Sequence, residues 1–266
     1  AGLDAPELFR EGVSAALADF ELDKATALAA ALQRSGGDRV QISTVLATIG
    51  RYDDAVAVLD DVVSESSSAD RDATVRHATN LLLRDGTGGA AAEFLADLDD
   101  PDAQLAATRV WVELFDGDVE RATATARSVL GHPAPSSNAV VWASVAGIVA
   151  GAIGSDSTFV PDAAERARGV LAEVLEQHPF VELQLDMAVT SWHVLTLDPV
   201  GALELATDRY RRAIEKAPFL AGAWAGFVGW AAKESGDFAL AVERLTECVT
   251  ALAPADPFGL ASYART

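Results

Sequence analysis

Apolar positions in this chain return at the spacing of an α-helix. Leu245, Cys248, Val249 and Leu252 fall in step, as do Leu185, Ala188, Trp192 and Leu195, so each set marks one side of a helix. The period can be followed from end to end and predicts helices in pairs, at about 6–19 with 23–34, 37–49 with 52–65, 70–84 with 88–98, and 101–115 with 118–130. Three more pairs follow at about 136–154 with 162–177, 180–196 with 199–215, and 219–235 with 237–252, before a last half-unit at 254–265.

The breaks inside these pairs are punctuated alike. Gly50 precedes Ala55, Gly86 precedes Ala91, Gly117 precedes Ala122 and Gly236 precedes Ala241, always five residues apart. A glycine after the first helix takes the left-handed conformation without a Cβ penalty and releases the chain into a short turn. An alanine early in the second helix leaves room where a larger side chain would hold the two helices apart. The spacing therefore encodes a helical hairpin. Gly50 to Gly86 is 36 positions and Gly86 to Gly117 is 31, near the roughly 34-residue period of tetratricopeptide repeats. Phe20 and Leu197 stand where two of the turn glycines are expected, although Ala25 and Ala202 keep the alanine, and SDSTFVP (155–161) reads as an insertion.

Composition agrees with an all-α class. Half of the 266 residues are hydrophobic, only 7% are aromatic, and alanine is abundant, which favours closely packed helices over sheets rich in β-branched and aromatic residues. The formal charge of −20 opposes a nucleic-acid backbone, so no direct binding of DNA is expected. Acid pairs such as Asp53-Asp54, Asp60-Asp61 and Asp99-Asp100 read as helix-start complements and solvated faces. The longest apolar run, AVVWASVAGIVAGAI (139–153), falls short of the roughly 18–20 residues of a membrane span and reads as a central buried helix. Gly147 and Gly151 give it a smooth stripe for close helix approach. Cys248 is the single cysteine, which excludes an internal disulfide and reads as a small core residue; a chain without disulfides suits the cytoplasm. The opening AGLDAPELF has no signal core and no initiator methionine, and the whole chain, 1–266, is read as one helical-repeat domain excised from a longer protein.

GWAAKESGDFALAVERLTECVTALAPADP (229–257) resembles the tetratricopeptide order, with Gly229 inside the first helix, Gly236 at the turn, Ala241 early in the second, Cys248 further along it and Pro254 at the exit. This resemblance implies a right-handed α-solenoid of about seven hairpins. The last half of the chain, from PSSNAVVWASVAGIVAGAIG through ERARGVLAEVL to DRYRRAIEKAPFLAGAWAGFVGWAAKESGDFALAVERLTECVTALAPADPFGL, resembles the repeat region of large bacterial LuxR-family transcriptional regulators. Those proteins are similar in layout to the maltose activator, with a P-loop ATPase module, a helical-repeat segment and a carboxy-terminal helix-turn-helix. No G-x-x-x-x-G-K-[ST] occurs here and no basic helix-turn-helix follows Thr266. The resemblance thus implies the middle segment alone, a non-enzymatic sensor or interaction domain that binds a small effector or a protein. A free-standing tetratricopeptide scaffold gripping a peptide is the alternative.

Patterns that carry chemistry are sparse. DGTGGAA (85–91) lacks the preceding strand and the lysine of a phosphate loop, and reads as a turn. His77, His132, His178 and His193 lie in different units without metal-ligand spacing, so neither a metal nor a cofactor is expected. No G-x-S-x-G or H-E-x-x-H occurs, and no catalytic residue is assigned. Trp111, Trp142, Trp192, Trp224 and Trp230 all fall in the first helices of their pairs, the helices that line the concave side of tetratricopeptide solenoids, and each reads first as core packing against the next repeat and only second as a ligand contact. Glu182, Asp186, Thr190 and His193 make a polar stripe on one such helix, with Asn138 beside Trp142 and Arg109 beside Glu113 on two others. The candidate ligand-binding set is therefore Arg109, Glu113, Asn138, Trp142, Glu182, Asp186 and His193.

Overall fold

The structure is a computed structural model that describes residues 5–252 apart from 20, 66–70, 97–102, 155, 157, 176–180, 197 and 217. Among the described residues there are fourteen α-helices and no strand: α1 (Ala5–Ala18), α2 (Leu22–Arg34), α3 (Arg39–Thr48), α4 (Tyr52–Glu65), α5 (Arg71–Asp85), α6 (Gly89–Ala96), α7 (Ala103–Phe115), α8 (Val119–Leu130), α9 (Ser137–Ile153), α10 (Phe159–Val174), α11 (Val181–Leu195), α12 (Pro199–Lys216), α13 (Pro218–Ser235) and α14 (Phe238–Leu252). The expected half-unit at 254–265 and the two turns at Phe20 and Leu197 lie outside the described residues.

The glycine turns form as the sequence predicts. Gly50, Gly86, Gly117 and Gly236 have φ of 80°, 65°, 78° and 85°, and Gly36 joins them at 72°. At Gly117 the glycine N–H donates to Leu114 O and the Asp118 N–H to Glu113 O, at 3.0 and 2.9 Å. The same pair of bonds closes α13 at Gly236, so orphan carbonyls of the last turn are satisfied before the chain reverses. The alanines five residues on are buried: Ala55, Ala91 and Ala122 at 0% exposure and Ala241 at 3%, with Ala25 and Ala202 also at 0%. Aspartates open the following helices. Asp118 accepts from Arg121 N, Asp237 from Leu240 N and Asp38 from Gln41 N, each at 3.1 Å, which gives part of the acidic excess a capping role.

Each helix packs on its chain neighbours, and the odd-numbered helices also pack on one another, α1 on α3, α3 on α5, and so on to α13. The odd helices thus make a continuous row, and each even helix from α2 to α12 bridges two of them. The largest core lies between α7 and α11, with α9 buried nearly all round, as expected for its apolar run; no described helix is long and apolar enough to cross a membrane. Most of these core side chains are alanine and valine. Such small groups bury enough area only if backbones come close, so packing distance carries the stability here. An added Cβ at Gly147 would stand 2.7 Å from Ala126 Cβ on α8, and one at Gly229 would stand 2.7 Å from Leu245 Cγ on α14.

The expected insertion at 155–161 is partly helix. Asp156 accepts from Phe159 N at 3.2 Å and starts α10 three residues earlier than the periodicity places it. The physical reason is packing: Phe159 and Val160, exposed by 2% and 0%, fill the space left by Gly147 and Gly151.

Candidate functional site

The structure distributes the seven candidate residues over different sides of the odd row. On α7, an Arg109 guanidinium nitrogen donates to Leu95 O of α6 at 3.4 Å, and Glu113 pairs with Arg121 of α8 at 2.9 Å. Both side chains therefore face the even helices. The Glu113 side chain is only 11% exposed, and its second oxygen, Oε2, has no hydrogen-bond partner.

Asp186 is drawn to the same side of α11. Its carboxylate is 5% exposed and lies 2.6 Å from Arg209 Nε of α12 and 3.8 Å from Arg168 Nη2 of α10. Burial pushes its pKa above the ordinary carboxylate range, against the pull of Arg209 and with added repulsion from Glu182. The polar stripe of α11 is thus an internal joint between helices at this point, and Thr190, at 0% exposure, continues it by donating to Asp186 O at 2.8 Å. Glu182, one turn earlier, is exposed.

His193 ends the stripe as part of a turn. Its Nδ1 lies 2.8 Å from Asp198 Oδ2, and Asp198 Oδ1 accepts from Gly201 N at 3.0 Å at the start of α12. These contacts, the backbone N–H first and the imidazole second, hold the Asp198 carboxyl below the usual range. The arrangement joins the end of α11 to the beginning of α12.

Asn138 and Trp142 stand apart from these groups. With Val149 and Ile153 they lie on the side of α9 opposite Gly147 and Gly151, hence away from α8 and α10. On α11 the matching side carries Gln184, Ser191 and Leu195. Ile153 and Leu195 are 53% and 44% exposed. This second side of the row is apolar with a few polar groups, and periodicity on α9 and α11 contained it, once the side taken by the even helices is known.

The tryptophans pack in cores. Trp224 is 1% exposed, and Trp111, Trp142, Trp192 and Trp230 are half-buried against hydrophobic clusters. Cys248 is fully buried. Among the histidines, His77 of α5 is buried, 3.8 Å from Asp60 Oδ1 through Nε2 and edge-on to Phe94 at 4.7 Å, and burial lowers its pKa despite Asp60. Its Nδ1 has no hydrogen-bond partner. His132 is exposed just beyond α8, its Nδ1 accepting from Ala134 N at 3.3 Å, and His178 lies outside the described residues. Among the described residues no three His, Cys, Asp or Glu side chains are grouped to hold a metal ion.

Sequence reasoning missed Arg168 and Arg209, because it weighed only the first helix of each pair. It also missed Tyr210, whose hydroxyl donates to Glu247 Oε1 at 2.6 Å and accepts from Arg244 at 2.7 Å, tying α12 to α14. No protein-family model and no curated protein matches the chain.

Proposed function

We propose that this chain is a non-catalytic binding module, a right-handed tetratricopeptide-like solenoid of about seven hairpins that takes its partner on the side of the odd-helix row away from the even helices. The supporting observation is the row itself. Helices α7, α9 and α11 pack side by side, and α9 and α11 present Trp142, Val149, Ile153 and Leu195 with Asn138, Gln184 and Ser191 between them. An apolar wall with a few separated polar groups orients a peptide or an apolar-polar effector, and the −20 charge favours neutral or cationic partners over anions. Arg109, Glu113, Asp186 and His193 then serve the joints that hold the wall in shape, and Glu182 stays exposed outside them. The resemblance to LuxR-type regulators supports a sensing or interaction role within such a protein, in the cytoplasm, with DNA contact left to another module.

A thermal-shift screen of metabolites and short peptides tests the binding reading. A ligand at a hundred times its Kd adds about 2.7 kcal/mol, or several degrees in Tm for a chain of this size. Trp142→Ala and a Ile153→Glu/Leu195→Glu pair should remove the shift while the variants stay folded. Hits that survive both changes would place binding elsewhere. For the regulator reading, the surrounding coding sequence decides: a P-loop ATPase motif upstream and a helix-turn-helix downstream are expected, and a flanking sequence with neither would leave the free-standing scaffold.

A further inference from the structure

We infer that the outer side of α14 is the seat of one more helix of the odd row, supplied by the chain's own residues 254–265, which lie outside the described residues. Helices α2 to α12 each bridge two odd helices, whereas α14 packs on one described odd helix, α13. The side this leaves is apolar. Phe238 and Val242 are 67% and 66% exposed, and Leu245 and Val249, half-buried, continue the same stripe by helical spacing.

The hairpin register shows what belongs on that side. Phe238 stands three residues before the hairpin alanine, Ala241, and Val242 one residue after it. In the five earlier hairpins that keep this alanine, the same two positions hold Leu22 and Thr26, Tyr52 and Val56, Gly88 and Ala92, Val119 and Thr123, and Pro199 and Leu203, and none of them is exposed. The next odd helix covers them. Val56 packs with Ala78 and Leu82 of α5. Val119 Cγ1 lies 3.2 Å from the place of an added Cβ at Gly154, directly after α9. Leu203 joins the clusters that hold Trp224 and Ala231 of α13. The two bare side chains of α14 therefore stand where every comparable pair is met by an odd helix.

The stretch that follows α14 suits this place. APAD (253–256) has the four-residue length of SGGD (35–38), which joins α2 to α3, and both end on aspartate. Asp38 caps α3 by accepting from Gln41 N at 3.1 Å, and Asp256 precedes Pro257, a residue suited to the first position of a helix. Leu260, Tyr263 and Ala264 then fall at i, i+3 and i+4 and make one apolar stripe. Helix α3 has ten residues, a length of about 15 Å, and the stripe from Phe238 to Val249 spans about 16 Å.

The test measures thiol accessibility in the full chain. Cys248 is fully buried and reacts only on unfolding, so a thiol introduced elsewhere is read by itself. Val242→Cys should react with N-ethylmaleimide at least tenfold more slowly than Ala239→Cys, at an exposed position of the same helix. Adding Leu260→Asp/Tyr263→Asp should bring Val242→Cys to the rate of Ala239→Cys and leave the Ala239→Cys rate unchanged. Leu260→Asp alone serves if the double change makes Cys248 reactive. Equal rates for the two thiols with the natural tail, or protection of Val242→Cys that survives the tail changes, would overturn the assignment. Protection that disappears on dilution together with a dimer mass in light scattering would also overturn it, and would give the face to a second copy of the chain. These variants leave Trp142, Ile153 and Leu195 in place, so the outcome is independent of the ligand screen.

Discussion

Replacing Gly147 and Gly169 by alanine makes the same chemical change in two neighbouring helices and should have opposite effects. Both glycines are inside helices, where alanine is better by about 1 kcal/mol in propensity. At Gly169 of α10 an added Cβ meets nothing within 4 Å, so Gly169→Ala should stabilise by about 0.5–1 kcal/mol. At Gly147 the same atom would stand 2.7 Å from Ala126 Cβ and 2.9 Å from Phe159 Cε1. Carbon atoms in ordinary contact sit about 3.5–4.0 Å apart, so the overlap is most of an ångström on two sides. Neither neighbour can yield alone: Ala126 Cβ is fixed to the backbone of α8, and the Phe159 ring is 2% exposed. A helix must shift outward. Overpacking of this kind costs about 1–3 kcal/mol, and after the propensity gain of about 1 kcal/mol Gly147→Ala should destabilise by up to about 2 kcal/mol. Urea unfolding followed by circular dichroism measures both, with the slope m unchanged as the condition for comparing midpoints. The Tm values should move in opposite directions by a few degrees. If Gly147→Ala raises the midpoint as much as Gly169→Ala does, α8 and α10 do not close on α9 as described.

Other perturbations test other joints. Below pH 6.5 the folded protein should lose stability through His77, because burial lowers its folded pKa and the unfolded chain takes up the proton first; a His77→Gln variant should show a flatter stability profile between neutral pH and the folded pKa, and an unchanged profile would remove His77 as the cause. Tyr210→Phe deletes the hydroxyl that bridges Arg244 and Glu247 and should cost about 1 kcal/mol, since the bonds involve charges but are only half-buried; the same deletion removes a phenol whose pKa burial and Glu247 hold up at about 12. An unaltered urea midpoint would mean that α12 and α14 are not joined there. Ala241→Leu should destabilise by about 1–3 kcal/mol through overpacking, because Ala241 is 3% exposed under α13, and a midpoint that does not move would displace the register of α14.

The hairpins were legible because their signal is local. A turn glycine with φ near +80° and a buried alanine five positions later are demands of backbone and volume that one short stretch must meet alone, and Gly50, Gly117 and Gly236 meet them with the same spacing. The candidate site was not legible in that way. Glu182, Asp186, Thr190 and His193 have helical spacing, but spacing fixes only that they share a side of α11, and a helix within the row has neighbours on several sides. Which side they occupy depends on Arg168 and Arg209, 18 and 23 residues from Asp186 in the sequence. A buried carboxylate needs a cationic partner, since leaving it unpaired costs several kcal/mol, and exposed groups face no such demand. The stripe with the most ordered polar residues is therefore the one drawn into the joints between helices. Trp142, which the sequence marked only through Asn138, is left on the accessible side with Val149, Ile153 and Leu195, which no polar pattern marks. In a stack built on alanine and glycine contacts, a regular polar stripe thus points first to a helix joint, and the binding face is better sought where large apolar side chains stay partly exposed after every helix has its neighbours.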